Sequence, residues 1–150
     1  MVFVMKLQIL LGALLLSASP VFADDFVYIK CDSKTVRLTK DLRSNQFINR
    51  EVDTDLMHFK IDSKNSQIME SRNGEWEEVK IDNGLVVVER ANTSSGITME
   101  WKVTFPVDPP GKYVANSLSL SDYHSQSAKG SGICKRIDET VYEKTMNQPN

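Results

Sequence analysis

Past residue 25, apolar positions alternate with polar ones far more often than they recur at helical spacing. In "ITMEWKVTF", Ile97, Met99, Trp101, Val103 and Phe105 fall on one side, and Thr98, Glu100, Lys102 and Thr104 on the other. This is the period of a half-buried strand, and the apolar side is expected to point into the core. "KTVRLT" places Val36 and Leu38 together, and "LMHFKID" separates Leu56, His58 and Lys60 from Met57, Phe59 and Ile61. "EWEEVKI" sets Trp76 opposite Glu75 and Glu77. "LVVVERA" opens with a continuous apolar run, as in a strand covered on both faces or turning a barrel corner. "FVYIKC", "KYVANSLSL" and "SGICKRI" complete the set of β-rich runs.

Turn residues punctuate these runs. "RNGEW" and "DNGLV" each carry Asn-Gly between strand-like stretches, a strong hairpin signal. "NTSSG" and "DPPGK" are further turn clusters, and Pro109 and Pro110 have no N–H to give a ladder. Runs at such spacing predict an all-β fold, a single antiparallel β-barrel or sandwich of about eight strands. "TKDLRSNQFINREV" shows neither period and reads as a helical turn or a long loop. The polar tail, residues 139–150, reads as a frayed or loosely helical appendage to a domain spanning residues 24–138.

The first 23 residues have a different character. A head with one cation, Lys6, precedes the apolar "LQILLGALLLSA", and "SPVFA" ends in Val21 and Ala23 at the positions of a small-residue cleavage site. This is a signal-peptide pattern, and it predicts a chain starting at Asp24 that is periplasmic or secreted. The apolar stretch is shorter than the ~20 residues a spanning helix needs, so no membrane span is expected.

Export gives the two cysteines their meaning. Cys31 and Cys134 flank strand-like runs, and an oxidising compartment favours their pairing. Closing a loop of ~100 residues stabilises by about 4–5 kcal/mol in chain-entropy terms. A disulfide between the first and last strands would fasten the seam of a barrel, with Gly130 and Gly132 permitting close backbone approach beside it.

Charge and chemistry narrow the function classes. Loss of Lys6 takes the net charge from −2 to −3. Such a chain is expected to lack the basic footprint of a nucleic-acid binder and the Lys/Arg cluster that would hold it to an anionic lipid surface. His124 in "SDYHSQS" and His58 lack a nucleophile–base pattern, and the carboxylates Asp53, Asp55, Glu75, Glu77 and Glu78 read as solvated strand and turn positions. Neither a metal-ligand spacing nor a phosphate loop is present, so the reading is non-enzymatic, with no cofactor and no metal. Trp76, Trp101, Phe59, Phe105 and Tyr113 are candidates either for a packed core or for an apolar ligand pocket.

Two resemblances follow from short motifs. "YIKC", "MEWKVTF", "PPGKYV" and "GSGICKRI" together resemble small uncharacterised bacterial secreted β-barrel proteins with a cysteine near each end, which implies fold and export but no activity. "FVYIKCDSKTVRLT" is similar to the opening strands of periplasmic inhibitors of c-type lysozyme. That resemblance implies a serine loop at Ser94 or Ser95 with Gly96, and a lysine loop at Lys129 with Gly130. No tyrosine follows Ser-Gly, and "SDYHSQS" stands where that family has an aromatic-rich strand. The sequence therefore predicts a monomeric, exported binding module for an unknown protein or small apolar ligand, through Ser94, Ser95, Lys129, Trp76 or Tyr113. The alternatives are a lysozyme-inhibitor-like protein and a structural or assembly protein without a small ligand.

Overall fold

A computed structural model describes residues 26–147; the expected signal peptide, its cleavage site and the last three residues lie outside the described residues. The chain forms β1 (Val27–Asp41), β2 (Gln46–Asp62), β3 (Gln67–Glu70), β4 (Trp76–Glu78), β5 (Lys80–Asp82), β6 (Leu85–Ser94), β7 (Ile97–Pro106), β8 (Gly111–Leu120), β9 (His124–Arg136) and α1 (Glu139–Met146). All nine strands belong to one antiparallel sheet in the order β4-β3-β2-β1-β9-β8-β7-β6-β5, curled into a nearly closed barrel.

Local chemistry sets the hairpins. Asn83-Gly84 and Ser95-Gly96 both take positive φ at the two central positions, the turn whose twist matches the flanking strands. The stretch expected as a helical turn or loop is instead the continuation of β1 and β2 around a tight turn. There the Asp41 carboxylate accepts the Arg43 and Ser44 N–H groups, both at 2.8 Å, and Asn45 takes φ 59°. Asp62 repeats the device at the other end of β2, accepting from Lys64 and Asn65 at 3.1 Å, with Ser66 at φ 53°. A carboxylate that closes its own turn in this way substitutes for backbone pairing.

Cys31 and Cys134 are direct cross-strand partners on β1 and β9 and are disulfide-bonded. The bond lies in the middle of the sheet rather than at its seam. The two ends of the sheet are β4 and β5, which follow one another in the chain with only Val79 between them. Close approach beside the bridge requires Gly132: a Cβ there would lie 1.5 Å from the Asp32 carbonyl oxygen.

The core occupies one end of the barrel. Ile29, Phe59, Ile61, Val86, Val103 and Phe105 point inward from four strands, and the Phe59 and Phe105 rings stack at 4.6 Å across the interior. Beyond the row Thr35–Gly130–Ala115–Val103–Val88, the inward positions of β1, β2, β8 and β9 become small, polar or charged, and the apolar Trp101 and Met99 of β7 are exposed there. The short strands β3, β4 and β5 also stop pairing there. β3 covers only Phe59–Asp62 of β2, and β5 covers only Leu85–Val87 of β6. The distal half is therefore an open six-stranded sheet, β2-β1-β9-β8-β7-β6, whose edges β2 and β6 have no further strand beside them among the described residues.

The tail is a docked helix. Tyr142 of α1 is buried, its ring packs 5.4 Å from that of Tyr28, and its hydroxyl donates to the Met69 carbonyl at 2.9 Å. Tyr28 in turn donates to Glu139 at 2.5 Å. Tyr142→Phe keeps the ring and strands the Met69 carbonyl, so it is expected to cost about 1 kcal/mol in urea unfolding. A midpoint equal to the parent's would show that the hydroxyl contributes nothing to docking.

Candidate binding surface

The alternation of β1, β2, β8 and β9 sorts side chains onto two faces, and the faces differ in charge. The inner face of the distal half carries Glu51, Asp53 and Asp55 on successive inward positions of β2. Each is answered by an arginine. Arg37 on β1 donates to Glu51 at 2.9 Å and to Asp53 at 3.0 Å. Arg72 is bidentate on Asp55, and Arg90 pairs with Glu77. The hydrogen bond from Arg37 holds the Glu51 carboxyl below its usual range, and that from Arg72 does the same for Asp55.

Asp55 and Arg72 also plug the exposed edge of β2. The Asp55 carboxylate accepts the Leu56 N–H at 2.8 Å, and Arg72 donates to the Leu56 carbonyl at 2.9 Å. An edge strand left bare is a template for pairing with another chain, and a charged pair across its outward groups blocks that.

The outer face is the reverse. Across β8-β9-β1-β2 its rows read Lys112–Ile133–Asp32–Leu56, then Val114–Ser131–Lys34–Thr54, then Asn116–Lys129–Val36–Val52. Leu118–Ser127–Leu38–Arg50 and Leu120–Ser125–Lys40–Phe47 follow toward the tip, and Lys135–Lys30–His58 lies at the other end. Every row holds a cation, and Asp32 is the one carboxylate among them. None of these cations is in an ion pair among the described residues, whereas Arg37, Arg72, Arg90 and Arg136 all are. Burial and the nearby Lys30 charge push the His58 imidazole below its ordinary value.

At the distal tip the β1–β2 and β8–β9 turns abut, joined by the Leu42 N–H donating to the Tyr123 carbonyl at 2.8 Å. Phe47 is 69% exposed and Tyr123 54%, with Lys40 5.9 Å from the Phe47 ring and Arg43 4.8 Å from the Tyr123 ring. Ile48 is the extra residue of a β-bulge beside them, since Thr39 pairs Asn49 and Lys40 pairs Phe47.

The residues singled out in the sequence scatter. Ser94 and Ser95 sit at the exposed β6–β7 tip. Lys129 lies mid-strand in β9 on the outer face rather than in a loop, three strands and five rows from Ser94, on the order of 20 Å away. Tyr113 is in the core against Phe105, and burial pushes its phenol up to about 12. Trp76 is on the outer side of β4, 5.8 Å from Phe26 and beside Lys60. Trp101 does face inward, but it lies past the row where the barrel opens and is 41% exposed. The Ser121 hydroxyl is engaged by the backbone N–H and carbonyl of His124, at 3.1 and 3.2 Å, which makes "SDYH" a turn motif.

The cationic face was not legible as a cluster because its members are spread over four strands, with Arg50 and Lys112 more than half the described chain apart in sequence. The signal that finds it is the parity of lysines within each alternating run. No family model matches the chain, no curated protein is similar to it, and no solved structure matches its fold.

Proposed function

We propose that the protein is a non-catalytic binding module of the extracytoplasmic space, periplasmic or secreted, that engages its partner through the open half of its sheet. The disulfide supports an oxidising compartment. The observation that carries the binding reading is the division of the barrel. One half is closed and packed, while the other extends six strands with both faces exposed and leaves Phe47, Met99 and Tyr123 more than half accessible. Exposed apolar side chains beside charges, as Phe47 and Tyr123 are beside Lys40 and Arg43, mark an interaction surface.

Photo-crosslinking side chains at Phe47 and Met99, with one at Lys80 of the closed half as control, test this in the producing cell. Adducts are expected from the distal positions and not from Lys80. Equal labelling at all three, or none at Phe47 and Met99, would overturn the reading.

A further inference from the structure

We infer that the outer face of β8-β9-β1-β2, with the tip at Phe47 and Tyr123, docks onto an anionic lipid bilayer. This deepens the binding-module reading and rests on it. A chain of net charge −2 has placed Lys30, Lys34, Lys40, Arg50, Lys112, Lys129 and Lys135 on one surface against Asp32 alone. Rows two residues apart are ~7 Å from one another and strands ~4.8 Å, so the face measures roughly 35 by 15 Å. It is a sheet surface, not a groove.

Charge complementarity calls for an anionic partner, and the residues between the cations choose among anions. Val36, Leu38, Val52, Val114, Leu118 and Ile133 share the face with the lysines. A lysine stem lies along such aliphatic surface while its ammonium reaches a headgroup phosphate. The exposed Phe47 and Tyr123, each under a cation, suit the boundary between headgroups and acyl chains. A nucleic acid would gain nothing from the aliphatic rows, and the rows between Lys135 and Arg50 offer no aromatic platform for bases. The paired carboxylates on the inner face turn the acidic side of the sheet away from the membrane.

Co-sedimentation with vesicles tests the inference, comparing phosphatidylcholine alone with phosphatidylcholine containing phosphatidylglycerol. Binding is expected only with the anionic lipid, falling as salt is raised. Each lysine near the surface contributes about fivefold, so Lys34→Gln, Lys129→Gln and Lys135→Gln together should weaken partitioning roughly a hundredfold. These side chains are exposed and outside any ion pair, and circular dichroism checks that the variant is folded. Phe47→Ser should weaken binding to the same anionic vesicles without changing its salt dependence. Soluble glycerophosphate should not compete.

Equal binding to neutral vesicles, an unaffected triple variant, or tighter binding to a DNA duplex at the same salt would each overturn the inference. So would no binding to either vesicle. In that case protein adducts at Phe47 and Met99 would leave the module reading standing, and their absence would remove both.

Discussion

Replacing Cys31 and Cys134 together by serine is expected to cost about 2–5 kcal/mol, a large part of the stability of a domain this size. The bridge closes a loop of 103 residues. It also sits on the β1–β9 ladder, which pairs the first and last of the described strands; among the described residues every other ladder joins strands consecutive in sequence. Without the bridge the unfolded chain regains the freedom to separate its ends, and the ladder alone must hold them. Urea unfolding of the oxidised parent and the double variant reads the difference. Intact mass before and after reduction verifies the bond. Coincident unfolding curves would show that the bridge contributes nothing to stability.

Phe105→Ala is expected to cost about 3–5 kcal/mol, and Trp101→Ala less than about 1 kcal/mol, although both lie on the same face of β7. Phe105 is 1% exposed, stacked on Phe59 and packed against Tyr113, so truncation opens a cavity at the centre of the barrel. Trp101 is four residues further along, opposite Arg90 and Ser117, where the inner face is already open. Thermal or urea unfolding of the two variants decides the matter. Equal losses would mean that the distal half is packed in solution and the barrel closes along its whole length.

The two tryptophan-bearing strands mark how far the sequence can be read. Alternation in "ITMEWKVTF" correctly assigns the face of every residue, because parity is a property of the strand itself. It carries no information on where the barrel ends, which depends on how far β3 and β5 extend along β2 and β6. The Asn-Gly turns were legible for the same local reason. The β1–β2 turn was missed although its signal is present twice: "DLRSNQ" and "DSKNSQ" share Asp, a basic residue two positions on and Gln at the close. In both, the aspartate accepts the same two N–H groups, so the second copy identifies the first. The cysteine pairing could be inferred from compartment and count. Its place in the middle of the sheet could not, since that follows from strand order.

That strand order has one more consequence. Read from β5 through β9 and then from β1 to β4, the sheet is an uninterrupted up-and-down meander. The described strands follow that meander with one change of connection: β4 runs on into β5, and β9 and β1 pair without a turn between them. A plain meander would place a hairpin turn where Arg136 meets Ile29, and the disulfide stands two residues from that point, joining Cys134 to Cys31. The bond thus takes the role of the absent turn, fixing in register two strands that the backbone does not connect.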